Sequence, residues 1–334
     1  MNFRRYAIAA LATFIGLTSL HALELQSIRL ACWSGGYSHD AWMAYCDSDR
    51  YGVYDVDAVW FDTEGRVGAA IRRAQILTLS DSRLQNALSL GGAPDWFAQR
   101  GYATYLLGLP TEESGFAEKL LDRFKPHPAV VILDASPFFT GDLGRIEVPL
   151  SRQPEREREE TISLQRFQTF HQNFCRHVGW FCGHTFSYFR SRRDGHWIFP
   201  SQDGPVWFGR GGVPNDRARF PINVLPDELT PLYPDYLRAA KRLVEKIHLP
   251  NQCIVLTHVP NDIRDDGLAR YLAHSLGIVV LEPEAPDLYT FDRAHLTPQS
   301  SREWTGEFLK ELEPTLEKCI ASPHDALQTH NESF

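Results

Sequence analysis

From Gln75 onward the chain alternates between short unbroken apolar runs and longer stretches in which apolar residues recur every three or four positions. Ile76–Leu79, Tyr105–Leu107, Val130–Leu133, Cys253–Thr257 and Ile278–Leu281 are too short for buried helices and lack the polar alternation of a half-exposed strand. They predict strands covered on both faces. Leu84–Leu88, Pro94–Arg100, Glu113–Phe124, Tyr236–Ile247, Gly267–Leu276 and Ser300–Leu312 carry the helical period and predict helices between them. Strand and helix in alternation, joined by right-handed crossovers, make an α/β protein: a three-layer α/β/α sandwich around a mainly parallel sheet.

The alternation is interrupted twice. Residues 23–73 are rich in Trp, Tyr, Asp and Gly without sustained period and predict an irregular N-terminal extension ending in a short helix. Residues 140–232 carry a charged run, Glu155 to Glu160, read as a solvated mixed-charge segment, then an aromatic and arginine-rich stretch with many Gly and Pro. They predict an insertion that splits the α/β core into 74–139 and 233–334.

Residues 1–22 have the order of a secretory signal: Arg4 and Arg5, an uncharged apolar run from Tyr6 to Leu20, then His21-Ala22. Leu20 stands where such signals usually carry a small residue, so an uncleaved N-terminal anchor is the alternative. The expected location is periplasmic or secreted, with no stable membrane span once the signal is removed. The 34 Lys and Arg against 42 Asp and Glu give a formal charge of −8, and loss of Arg4 and Arg5 takes it to −10. That balance argues against nucleic acid as a partner. The six cysteines, an even number in an exported chain, favour disulfides. Cys32–Cys46, Cys175–Cys182 and Cys253–Cys319 is the simplest pairing among about fifteen.

Two distant segments carry the chemistry. Ser80-Asp81-Ser82 follows a strand and precedes a helix, which exposes the Ser82 hydroxyl beside a helix N-terminus. Asp292 and His295 are three residues apart, a spacing at which an acid can fix the tautomer of a base. Ligands of open α/β sheets bind beyond the carboxyl ends of the strands, where both segments fall. The plainer readings are a helix N-cap for the first and a surface turn for the second.

Ser80-Asp81-Ser82 resembles the Gly-Asp-Ser block of the SGNH (GDSL-type) hydrolases, and Asp292-Arg293-Ala294-His295-Leu296 resembles their final Asp-x-x-His block. Tyr105–Glu112 and Val130–Pro137 stand where the family's second and third blocks stand. The resemblance covers about Gln75–Phe139 and Gln252–Leu312. It implies a flavodoxin-like fold, a Ser82-His295-Asp292 triad forming an acyl-enzyme without a cofactor, and an oxyanion held by Ser82, Thr111 and Ser136. The chain departs from the pattern with Ser80 for the Gly, Thr111 for the second-block Gly and Ser136 for the third-block Asn. In these departures the chain resembles divergent members that move acyl groups onto or off envelope polysaccharides. The implied partner is an acylated carbohydrate or small ester. An exported esterase, an O-acyltransferase and a non-catalytic glycan-binding protein are the three readings.

Other clusters have plainer roles open to them. His171, Cys175, His177, Cys182 and His184 lack the spacing of a tetrahedral zinc set, so no metal is expected and a disulfide with incidental histidines is favoured. Arg190, Trp197 and Trp207, in the aromatic stretch, and Glu113 are candidate substrate contacts; the alternative for the aromatics is a small core of the insertion itself. His258 follows a strand at the same sheet edge and is read as a supporting residue.

Overall fold

The computed structural model describes residues 8, 11–17, 41–46, 54–62, 65–108, 114–140, 155–156, 158–159, 162–163, 187–199, 220–222, 230–261 and 266–320. In chain order the first elements are β1 (Trp42–Cys46), α1 (Tyr54–Phe61), α2 (Arg66–Arg73), β2 (Ile76–Ser80), α3 (Ser82–Leu90), α4 (Ala93–Gln99), β3 (Thr104–Gly108), α5 (Ser114–Phe124) and β4 (Val130–Asp134). Then come β5 (Ser187–Ser191), β6 (Trp197–Ile198), β7 (Phe220–Pro221), α6 (Tyr233–Ile247), β8 (Ile254–Thr257), α7 (Asp266–Leu276), β9 (Val279–Leu281), β10 (Tyr289–Thr290) and α8 (Pro298–Ile320).

The five apolar runs form one sheet in the order β3-β2-β4-β8-β9, with every neighbouring pair parallel. Because side chains alternate along a strand, each run feeds two cores. Leu77, Leu79, Leu107, Leu133 and Leu256 point towards α1, α2, α5, α6 and α7. Ile76, Leu106, Ile132 and Val255 point towards α3, α4 and α8. The result is the three-layer α/β/α sandwich. β2 is sequentially first but spatially second, so the chain winds one way to β3 and the other way to β4, which opens a crevice beyond the carboxyl ends of β2 and β4.

Two boundaries read from the sequence change. Val56, Val59, Val67 and Ile71 on α1 and α2 lie in the same core cluster as the sheet, so 54–73 belongs to the α/β layers and not to an irregular extension. β1 pairs antiparallel with β5, and β5 with β6, so the N-terminal segment and the insertion build one small sheet together. Its β5–β6 turn covers β3: the Leu106 N–H donates to Asp194 O at 2.8 Å, satisfying an edge that otherwise invites foreign strands. Gly195 in this turn has φ +74°, and a Cβ there would lie 2.2 Å from Leu106 O. Only glycine fits so close an approach.

Cys253 and Cys319 are joined, tying the end of α8 to the start of β8 as expected. The other two expected pairs, Cys32–Cys46 and Cys175–Cys182, involve side chains outside the described residues, as does the histidine and cysteine cluster at 171–184. Among the described residues no helix is long and apolar enough to cross a membrane, and no group of His, Cys, Asp or Glu has a metal-binding arrangement.

Candidate active site

Ser82 is the first residue of α3, placed there by its neighbour. Asp81 is the N-cap: its carboxylate accepts the Arg83 N–H at 2.8 Å, which starts the helix and leaves the Ser82 N–H without a partner among the described residues. Arg83 folds back and donates from Nε and Nη2 to the other Asp81 oxygen at 3.0 and 2.8 Å. Burial opposes a charge on Asp81, but the Arg83 guanidinium and the hydrogen bonds Arg83 donates outweigh it, lowering its pKa to about 2. A carboxylate next to a nucleophile would repel a developing oxyanion, and Arg83 compensates that field.

The base arrives on the segment between β10 and α8. Asp292 Oδ1 accepts the N–H groups of Ala294 and His295 at 3.0 and 2.8 Å, closing a tight turn in which Arg293 takes φ 72°. Asp292 Oδ2 lies 2.7 Å from His295 Nδ1. Burial works against the Asp292 charge, and the His295 ring and the two backbone N–H groups prevail, holding its pKa below the usual carboxylate value. With Nδ1 carrying the proton, Nε2 is the acceptor, and it stands 2.9 Å from Ser82 Oγ. The Phe291 ring stacks on the imidazole at 5.7 Å between centroids. Asn86, one turn below Ser82 on α3, donates to Leu296 O at 3.3 Å and so ties the loop of the base to the helix of the nucleophile.

Ser82, His295 and Asp292 are therefore joined as expected. Ser136 is not where an oxyanion donor would be useful. Its hydroxyl is buried, donates to Asp81 Oδ2 at 3.0 Å and accepts the Phe138 N–H at 3.2 Å. A serine is too short to reach past Asp81, so it became part of the N-cap network instead.

Arg190 and Trp197 also correct the sequence reading: both are wholly buried. Arg190 donates to the carbonyls of Leu106 and Gly108 along the β3 edge, and its guanidinium lies 5.2 Å from the Trp197 ring centroid. Tyr188, Trp197 and Phe199 form a small cluster with Phe291, the core that was the alternative for this stretch. Thr111, Glu113 and Trp207 lie outside the described residues. His258 is half-buried with Nδ1 3.3 Å from Ala135 O, a supporting position behind the site.

Sequence reasoning missed Arg83, Asn86 and Phe291. Each flanks a recognised block by one to four residues, and the helical period would have placed Asn86 one turn from Ser82. Comparison with protein-family models, with curated proteins and with solved structures returns no match.

Proposed function

We propose that this protein is an exported serine esterase of the SGNH type that removes O-acyl groups from a carbohydrate. The observation that carries the reading is the continuous relay from Ser82 Oγ through the His295 ring to the Asp292 carboxylate, 2.9 and 2.7 Å long, at the crevice beyond β2. His295 Nε2 takes the Ser82 proton as Oγ attacks the ester carbonyl. The imidazolium, oriented by Asp292, then protonates the leaving alcohol, and an acyl-serine remains. Water, deprotonated by the same nitrogen, releases the acid and restores the hydroxyl. The Ser82 N–H at the positive end of α3 is the oxyanion donor within the described residues, and the Thr111 N–H is the second by the family resemblance. The charged and apolar order of residues 1–22 supports export.

The test is hydrolysis of p-nitrophenyl acetate and of acetylated polysaccharide by the protein and by its Ser82→Ala and His295→Ala variants. Activity lost in both variants supports the triad, and activity unchanged in both refutes it. Acetyl transfer to an added glycan faster than release of acetate selects an O-acyltransferase, in which a sugar hydroxyl replaces water. Sugar binding with no turnover in any of the three selects a glycan-binding protein.

A further inference from the structure

The arginines of the aromatic stretch do not all go into the core. Arg190 is wholly buried against the β3 edge, whereas in the β5–β6 turn the buried Arg192 and the exposed Arg193 meet α2 and β1 around a groove of about 610 Å³. Its walls hold Trp42, Arg66, Arg73, Arg192, Arg193 and His196, and no Asp or Glu is among its described lining residues. The chain as a whole carries a net charge of −8, so this concentration of positive charge runs against its overall balance.

The groove is built and not merely crowded. Asp194 beneath the turn accepts from Arg193 at 2.9 Å and lies 2.5 Å from His196 Nδ1, so it holds both side chains in place. The Arg193 side chain nevertheless remains 79 % exposed. Arg73 has no ion-pair partner among the described residues. The half-buried Trp42 indole lies edge-on to His196, with 5.3 Å between ring centroids, and lines the same space. An indole beside guanidinium groups is the combination that takes a sugar ring by stacking and its carboxylate by charge-assisted hydrogen bonds.

We infer that this groove binds a carboxylate-bearing sugar unit of the glycan. The inference rests on the carbohydrate reading of the active site and names its substrate class as an acidic polysaccharide. The same turn links groove and nucleophile. Gly195 O accepts from Gln85 Nε2 at 3.1 Å, and Gln85 lies on α3 one turn from Ser82. The turn that walls the groove is thus hydrogen-bonded to the helix that carries Ser82.

Binding is measured by calorimetry on the Ser82→Ala protein, which separates it from turnover, with tetragalacturonate, the neutral maltotetraose and inorganic phosphate as probes. Tetragalacturonate should bind with an affinity that falls as salt rises, and maltotetraose should bind at least about tenfold more weakly. Arg66→Gln/Arg73→Gln should weaken tetragalacturonate by about tenfold or more, the low end for one charge-assisted hydrogen bond. Arg72→Gln, on the same helix but outside the groove, should bind as the parent does. Equal affinity for the two oligosaccharides, or an unchanged double variant, overturns the inference. Phosphate binding as tightly as tetragalacturonate overturns it too, leaving a simple anion site. Hydrolysis of p-nitrophenyl acetate by Arg72→Gln in a Ser82 background should be unchanged. If Ser82→Ala leaves that hydrolysis intact, the triad fails while the binding result still decides the groove.

Discussion

Replacing Asp292 by Asn isolates what the acid does for the base. Asp292 Oδ1 accepts two backbone N–H groups, from Ala294 and His295, at 3.0 and 2.8 Å. The Asn carbonyl oxygen must stay there, because an amide NH₂ would face two donors. The NH₂ group then occupies the Oδ2 position, 2.7 Å from His295 Nδ1, and donates to that nitrogen. Nδ1 becomes an acceptor, the ring proton moves to Nε2, and Nε2 no longer accepts the Ser82 proton across 2.9 Å. The turn keeps its two backbone bonds, so folding is little affected and the loss falls on kcat. A wrong tautomer reduces such relays by about 10⁴-fold, or about 5.5 kcal/mol of transition-state stabilisation. The assay is steady-state hydrolysis of p-nitrophenyl acetate, with thermal melting to confirm that the variant is folded. A folded Asp292→Asn protein retaining kcat within tenfold of the parent would refute the tautomer argument.

Three further outcomes follow from the network behind the serine and from the disulfide. Ser136→Ala strips a buried donor from Asp81 and an acceptor from the Phe138 N–H, so urea melts should show about 1–3 kcal/mol lost with kcat reduced less than about tenfold. A hundredfold loss of kcat at unchanged stability would instead make that hydroxyl an oxyanion donor. The Asp81 pKa is lowered from 3.8 to about 2, so its contribution is full above pH 4 and lost as pH falls towards 2. That is about 2 kcal/mol, and urea melts from pH 5 to 2 should show a shallower acid slope in Asp81→Asn; equal slopes count against it. Cys253 and Cys319 are 66 residues apart, and opening that loop in a Cys253→Ser/Cys319→Ser variant should remove up to about 4 kcal/mol of stability. Thiol reductant should then no longer lower the variant's melting temperature through this bridge.

All five strands of the parallel sheet were legible because β2, β3, β4 and β8 are buried along their length and the half-buried edge strand β9 is itself an unbroken apolar run. β2, β4, β8 and β9 differ from the predicted spans by one residue at one end, and β3 by one residue at each end. The candidate nucleophile and its candidate acid-base pair were legible for a related reason, since each depends on a local turn: an N-cap for Ser82 and a three-residue loop for Asp292 and His295. Arg190 and Trp197 were misread because sequence does not say which side of a hairpin meets another element. Their burial depends on β5 pairing with β1, from Trp42↔Ser191 to Cys46↔Ser187, a non-local contact with no local period to announce it.

The sequence by itself determined the α/β layering, the positions of the parallel strands and of the helices between them, and the identity of the catalytic candidates, because those follow from periodicity and from residues a few positions apart. Tertiary structure alone decided that Ser82 and His295 meet at 2.9 Å, that Ser136 serves Asp81, and that Arg190 is buried against β3 while Arg193 of the same short stretch stays exposed at a groove. Distances between segments far apart in the chain depend on how the layers close, and side-chain direction depends on which neighbour covers each face.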